Sequence, residues 1–314
     1  MEKVCFGIDV GGTTVKIGLF TEDGKLIHST EIPTRKEDDG SQILPDICAK
    51  IDEILVEKKL SRSELIGVGI GIPGPITKDG TVLNCVNLGW GVFKIEDKLS
   101  QMLGGVPVKA GNDANVAALG ENWQGGGQGF EDLVLITLGT GVGGGVIIGN
   151  QIITGSNGAA GEIGHIPMIT GEDAEVCGCG KKGCLETVGS ATGIVREAKK
   201  LLAKSSEDST LRGMEEFSCK DVFDAAKEGD KLALEVVDKL CYNLGWAAAS
   251  IAAVTNPQVI VIGGGVSKAG KFLLDKIEEN FMEKAFHACK NAKFALATLG
   301  NDAGMYGAAA LILN

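Results

Sequence analysis

Basic residues are scarce relative to acidic ones in this chain of 314 residues. Lysine and arginine together number 30, against 41 aspartates and glutamates, so the formal net charge is −11. Nonspecific binding to nucleic acid requires clustered positive charge that replaces the counterions of the phosphate backbone. We therefore do not expect a nucleic acid partner.

Long uninterrupted apolar runs are also missing. The best candidate for a membrane span, residues 133–149, contains six glycines and is shorter than the roughly 20 apolar residues that a membrane helix needs. The first residues show no basic segment followed by an apolar run and a small-residue cleavage site. We therefore expect no membrane association and no export signal, and the cytoplasm is the expected location.

Proline is rare, with seven residues against 47 glycines, which indicates many tight turns rather than a proline-stiffened linker. The nine cysteines are an odd number, and three of them are clustered. The other six are scattered singly, which is typical of reduced thiols in protein interiors. These single cysteines are Cys5, Cys48, Cys85, Cys219, Cys241 and Cys289.

Near-continuous apolar runs predict strands that are buried on both faces. Apolar residues spaced three or four apart predict helices over 231–254 and 272–285. Strands and helices in this mixed order predict an α/β fold. The predicted strands are Val4–Val10, Leu65–Ile72, Leu133–Leu138 and 259–262.

Two internal echoes suggest a duplicated architecture. Residues 8–14 and 137–143 each read as a strand, a glycine-rich turn and a second strand, and Gly-Asn-Asp-Ala occurs at 111–114 and again at 300–303. Two similar lobes would produce both echoes, although glycine turns and aspartate helix caps are common in any protein. A boundary near residue 120 is expected, where glycine-rich residues follow a predicted helix.

A candidate phosphate-binding turn follows the first predicted strand. Two glycines let backbone N–H groups approach an anion, and two threonines add hydroxyl donors. Asp9 is placed to hold Mg²⁺ and Lys16 to reach toward phosphate, although an ordinary hairpin turn is the alternative. The candidate residues are Asp9, Gly11, Gly12, Thr13, Thr14 and Lys16.

Two further glycine turns follow buried strands later in the chain. The first repeats the chemistry of the earlier turn, and the second offers bare backbone to an adenine or ribose, with a helix-entry loop as the alternative. Residues 69–74 and the first of these turns do not continue into the helix that a dinucleotide-binding motif requires. The second turn does not continue into a complete Walker motif. The candidate residues are Gly139, Thr140, Gly141 and Gly143 in one turn, and Gly263, Gly264, Gly265 and Val266 in the other.

Three cysteines within eight residues predict a metal site. Cys177, Cys179 and Cys184 offer three thiolates, and His165 supplies a fourth ligand. Three sulfurs and one nitrogen form a closed tetrahedral set for a structural Zn²⁺, with unmetallated thiols as the alternative.

Three carboxylates near these motifs are candidates for chemistry. Glu162 and Glu186 flank the metal ligands and suit the adjacent hydroxyls of a polyol. A glycosidase acid and base would leave the phosphate turns unexplained. Asp113 reads as a helix N-cap or as a base for phosphoryl transfer, and its echo Asp302 is an equal candidate from spacing alone.

These motifs resemble the ROK family of repressors, open reading frames and kinases, and most closely its bacterial glucokinases. Residues 177–186 resemble the family's C-x-C-G-x-x-G-C-x-E signature, and residues 162–165 its E-x-G-H motif. Residues 9–16 resemble its ATP phosphate motif, and residues 111–121 its catalytic aspartate segment. The resemblance covers nearly the whole chain and favours Asp113 over Asp302 as the base.

The resemblance implies an actin-like (ribonuclease H-like) α/β kinase fold with a cleft between two lobes. The smaller lobe is expected at 1–120, with a final helix at 302–314 returning to it, and the larger lobe, with the zinc loop, at 121–301. The implied activity is phosphorylation of the 6-hydroxyl of glucose by ATP in a homo-oligomer, a dimer or tetramer. The implied sugar contacts are Gly74, Asn87, Asn112, Asp113, Glu162, His165 and Glu186.

Alternatives within the family remain open. Relatives with the same motifs use N-acetylmannosamine, fructose or another hexose, and polyphosphate could replace ATP as the donor. The family also includes repressors, which need a helix-turn-helix ahead of the kinase-like body. Because the phosphate motif begins at Asp9, we expect no such segment. The resemblance also implies that the three glycine turns hold MgATP.

Overall fold

The computed structural model describes residues 3–313. Its strands, in chain order, are β1 (Val4–Val10), β2 (Thr14–Thr21), β3 (Leu26–Pro33), β4 (Leu65–Ile72), β5 (Thr81–Val82), β6 (Phe93–Lys94), β7 (Val108–Asn112), β8 (Leu133–Leu138), β9 (Val142–Ile148), β10 (Gln151–Ile152), β11 (Val259–Gly263) and β12 (Lys293–Leu296). The predicted buried strands are confirmed as β1, β4, β8 and β11.

The helices alternate with these strands as an α/β fold requires. They are α1 (Glu37–Gly40), α2 (Ile43–Glu57), α3 (Ile95–Met102), α4 (Asp113–Gln124), α5 (Glu186–Gly189), α6 (Ala191–Lys204), α7 (Cys219–Lys227), α8 (Lys231–Thr255), α9 (Lys271–Lys284) and α10 (Ala303–Leu313). Both predicted helices are confirmed, as α8 and α9. Within residues 3–313, no helix combines the length and apolar content needed to cross a membrane.

Two five-stranded sheets repeat one plan. The first has the order β3-β2-β1-β4-β7 and the second β10-β9-β8-β11-β12. Each begins with antiparallel strands at one edge and continues with parallel strands, β1-β4-β7 in the first and β8-β11-β12 in the second. The shared order agrees with the duplication that the internal echoes predict.

The chain forms two compact units. The first unit comprises residues up to 129, residues 145–161 and residues from 299 onward, and the second comprises residues 130–144 and 162–298. In the first unit, α10 packs against α4, β1 and β4.

Glycines let α10 approach the first sheet closely. A Cβ at Gly69 would meet the carbonyl oxygen of Ala308, and one at Gly7 would meet that of Met305. The close approach continues to the start of the helix, where a Cβ at Gly304 would meet the Asp9 carboxylate. Backbone packing without side chains thus places the end of β1 beside the first turn of α10.

The second unit has a core built around β8 and β11. Strand β11 is buried over its whole length, and α8 packs against α6, α7 and α9. Because β8 and β11 are parallel neighbours, with Gly263 opposite Thr137, the turns that follow them lie at the same edge of the sheet.

Candidate active site

The candidate catalytic segment lies where β7 passes into α4. The prediction that Asp113 is the helix N-cap is wrong, because Asn112 occupies that position. The Asn112 side chain accepts hydrogen bonds from the backbone N–H groups of Ala114 (3.1 Å) and Asn115 (3.3 Å). Asn and Asp cap helices about equally well, so spacing alone could not choose between them. Asp113 is the first helical residue, and its carboxylate accepts a hydrogen bond from Ala114 N at 2.8 Å.

Asn112 connects the catalytic segment to a second predicted sugar contact. Its amide Nδ2 donates to the carbonyl oxygen of Gly74 at 3.3 Å. The Cys85 thiol donates to the neighbouring Pro73 carbonyl at 2.8 Å. Asn87 follows, exposed, in the 3₁₀ turn Val86–Leu88. The loops that carry Gly74 and Cys85 are thereby tied to each other and to the start of α4.

Asp9 lies at the end of β1 in an unusual electrostatic setting. Burial and the charge of Asp113, with a smaller contribution from Asp302, raise the pKa of its carboxyl group to about 6 against the opposing charge of Lys16. A carboxylate that is short of compensating charge favours a bound cation. That Asp9 holds a metal ion stays a prediction, and these surroundings are compatible with it.

Lys16 bonds to carboxylates in this structure. Its Nζ lies 2.8 Å from Asp302 Oδ1 and 3.6 Å from Glu31 Oε1, and its side chain is 18% exposed. Burial disfavours the charged form, but the hydrogen bond to Asp302 and the charges of both acids outweigh it, so the pKa of Lys16 is raised. Sequence analysis missed Glu31, although the Asp-Gly turn at residues 23–24 is a hairpin signal that could have set the β2-β3 register.

Hydrogen bonds close one end of the first glycine turn. Gly11 N donates to Thr14 O at 2.9 Å, and the Thr34 hydroxyl donates to Gly11 O at 2.8 Å. Gly12 and Thr13 form the exposed tip, and Thr34 N holds the Thr13 carbonyl at 2.9 Å. The tip is the part of the turn that an anion can reach.

The four predicted metal ligands converge. The ligand atoms of His165 and the three cysteines all lie within 4.8 Å of one another. His165 Nδ1 is 3.7 Å from Cys177 Sγ, and the sulfurs of Cys179 and Cys184 are 3.6 Å apart. Tetrahedral bonds of about 2.0–2.3 Å place neighbouring ligands roughly 3.3–3.8 Å apart. This cluster can hold a metal ion, and its three sulfurs and one nitrogen fit a closed structural site.

The two candidate sugar carboxylates lie beside this cluster. The other ring nitrogen of His165, Nε2, is 3.8 Å from Glu162 Oε2. Glu186 accepts hydrogen bonds from the Cys177 thiol (3.3 Å) and from Val142 N (3.1 Å). Glu186 therefore links the cysteine loop to the second glycine turn, a connection that sequence spacing did not indicate.

The second glycine turn is fixed to the helices that follow the cysteine loop. Gly139 N donates to Gly141 O at 2.9 Å, and Gly139 O accepts from Ala191 N at 2.8 Å. A Cβ at Gly141 would meet the Glu186 carboxylate, so a larger residue there would push that carboxylate aside. Thr140, at the tip, is held through its carbonyl by the Thr192 hydroxyl at 3.1 Å, and Gly143 lies within β9.

The third glycine turn lies against the end of β8. Gly264 has φ +81° and packs so closely on Leu138 that a Cβ would meet its backbone. Gly263 ends β11, and Gly265 and Val266 begin a 3₁₀ turn that leads to α9. Since Leu138 directly precedes Gly139, the second unit brings the two predicted nucleotide turns to one place.

Comparisons with known proteins agree with this arrangement. The family model described as "ROK family" matches residues 5–314. A glucokinase of Halalkalibacterium halodurans is 47% identical over 311 residues, covering 98% of this chain and 94% of that protein. A glucokinase of Thermotoga maritima is 36% identical over 98% of this chain and 96% of that protein.

A solved structure is similar over the same length. The crystal structure of a ROK family glucokinase from Streptomyces griseus, in complex with glucose and AMPPNP, is 34% identical, covers 98% of each chain and has a TM-score of 0.76. This likeness confirms the actin-like two-lobe α/β fold that the motifs imply. The family match runs through every candidate site residue, and we conclude that this chain is a member of the ROK family.

Proposed function

We propose that this protein is an ATP-dependent glucokinase that transfers the γ-phosphoryl group of ATP to the 6-hydroxyl of glucose. The observation that carries the proposal is the 47% identity to a glucokinase over 98% of the chain. The local geometry supports it, because each unit contains both carboxylates suited to a sugar and a glycine turn suited to a nucleotide.

Asp113 is the proposed catalytic base. Its carboxylate stands in the first turn of α4, beside Asn112, whose amide is fixed to Gly74. A carboxylate in this role accepts the proton of the sugar's primary hydroxyl while the oxygen attacks the γ-phosphorus in line. Asn112 and the neighbouring loops would orient the sugar.

Asp9 is the proposed anchor for Mg²⁺. When bound, Mg²⁺ neutralises charge on the phosphate oxygens. The exposed tip at Gly12 and Thr13 would supply N–H and hydroxyl donors to the phosphates. The turns at Gly139 and Gly263 would receive the rest of the nucleotide, since bare backbone permits close approach.

The cysteine cluster is proposed to hold Zn²⁺ and to fix the sugar-binding carboxylates. The cluster has no open ligand position, so its role is structural. Glu162 next to His165, and Glu186 next to Cys177, would accept hydrogen bonds from adjacent hydroxyls of glucose. Such a site can contribute on the order of 10 kcal/mol to local folding.

A coupled ADP-release assay across a hexose panel tests this function. We expect glucose to give a kcat/KM at least about tenfold above fructose, mannose and N-acetylmannosamine, because a misplaced hydroxyl leaves a carboxylate of the sugar site unpaired once the bound sugar covers it. ATP should serve as donor, and polyphosphate should not replace it. A preference for another hexose would show that glucose is not the substrate. No ADP release with any sugar would contradict the kinase assignment.

A further inference from the structure

The second copy of the Gly-Asn-Asp-Ala echo has no role in the proposed reaction. Asp113, in the first copy, opens α4, and Asp302, in the second copy, directly precedes α10. The charges of both act on Asp9 and raise its pKa. Asp302 also forms an ion pair with the ammonium group of Lys16.

Three carboxylates lie near Lys16, and it forms ion pairs with two of them. It lies opposite Asp9 in the β1-β2 pairing and opposite Glu31 in the β2-β3 pairing, so these three side chains share one face of the sheet. Among the described residues, ion pairs join Lys16 to Asp302 and Glu31 but not to Asp9. A partner 286 positions away in sequence thus holds the lysine in place of its cross-strand neighbour.

The surroundings of Asp302 favour its ion pair with Lys16. The 2.8 Å contact is the shorter of the two that Lys16 makes, and the turn that carries Asp302 is fixed by the packing of α10 on β1 and β2. The Lys16 side chain is only 18% exposed, so a nearby carboxylate stabilises the charge of its ammonium group. If Asp302 lost its charge, Lys16 would lie between Glu31 on one neighbouring strand and Asp9 on the other, with nothing to hold it away from Asp9.

We propose that Asp302 is a positioning residue that keeps Lys16 away from Asp9 and thereby leaves the Asp9 carboxylate available to the Mg²⁺ of the nucleotide. The inference rests on the proposed function, since it assigns Asp302 a task in nucleotide binding. Asp302 itself does not touch the reacting atoms. Its effect reaches them through Lys16.

The test is calorimetric binding of Mg·ADP to the full chain. We expect Asp302→Asn to weaken binding about tenfold, while Asp302→Glu restores most of the affinity because it keeps the charge. The KM for glucose should stay within twofold, which a general structural defect would not allow. Asp224→Asn is the matched control, since it breaks an exposed Lys220–Asp224 pair far from these motifs in sequence.

The lysine provides the decisive comparison. In a Lys16→Met background no ammonium group can move to Asp9, so adding Asp302→Asn should change Mg·ADP binding by less than twofold. Wild-type affinity in Asp302→Asn, or an equal tenfold loss in the Lys16→Met background, would overturn the inference. A wild-type protein that binds no Mg·ADP would instead contradict the proposed function.

Discussion

At the scale of single residues, the ionisation of Asp9 connects the first glycine turn to pH. Burial, with the charge of Asp113, raises the pKa of Asp9 to about 6 from an ordinary value of 3.8. The carboxylate is ionised above that pH and protonated below it, and only the ionised form attracts Mg²⁺. The cation site should therefore be present above about pH 6 and lost as the pH falls through that value.

We predict that the Mg²⁺ concentration for half-maximal activity rises about tenfold for each pH unit below about 6, because each unit lowers the ionised fraction of Asp9 tenfold. Kinase assays at pH 5–8 with varied Mg²⁺ measure this dependence. Excess Mg²⁺ should move the apparent pKa of activity downward. A Mg²⁺ requirement that stays constant between pH 5 and 7 would argue against the role of Asp9.

Asp113→Asn should lower kcat at least about 100-fold, because the amide cannot accept the proton of the sugar hydroxyl. The fold should survive, since Asn112 caps α4 and stays in place. Asp97→Asn is the matched control, an exposed aspartate in the first turn of α3, and should leave kcat unchanged. Steady-state kinetics measure kcat, and thermal melts show whether the fold survives. Near-normal turnover in Asp113→Asn would refute the assignment of Asp113 as the catalytic base.

At the scale of elements, periodicity and local composition predicted what depends on neighbours in sequence. The strands β1, β4 and β8 match their predicted bounds because each is a near-continuous apolar run between polar, glycine or proline residues. The cap of α4 was misplaced by one residue because Asn112 and Asp113 carry equivalent capping chemistry. Only backbone conformation distinguishes them, and sequence does not show it.

Contacts between distant segments could not be predicted in this way. The glycine-rich residues 124–129 look like a hinge or exposed loop, yet Gly127 is buried and the loop is held by Glu121. This glutamate is 1% exposed and accepts hydrogen bonds from Gly126 N at 2.8 Å and Leu299 N at 2.9 Å. Its second partner lies 178 positions away, so no local pattern marks it.

Gly69→Ala should destabilise the protein by about 1–3 kcal/mol, as overpacking of a close contact does. The added methyl group would meet the backbone of Ala308 and push α10 off β4. Gly91→Ala is the control, because a Cβ there meets no atom within 4 Å. Urea unfolding of both variants measures the difference, and equal stability would show that α10 does not pack as closely as described.

At the scale of the whole molecule, the sequence predicted the fold class and the motifs, whereas the division of the chain into units depends on contacts between distant segments. Residues 145–161 belong to the first unit, although no change in composition separates them from their neighbours. The Lys16–Asp302 pair likewise joins the two ends of the chain. Such pairings follow from the packing of α10 on the first sheet, which is a property of the folded chain.

The central claim is that a metal ion, held by His165 and three cysteines, fixes the carboxylates that bind the sugar. The most direct test is to measure zinc by elemental analysis of freshly purified protein, together with the KM for glucose. The account predicts about one zinc per active chain, and predicts that Cys179→Ser loses the metal and raises the KM for glucose at least about tenfold. Fully active protein that contains no bound metal would contradict it.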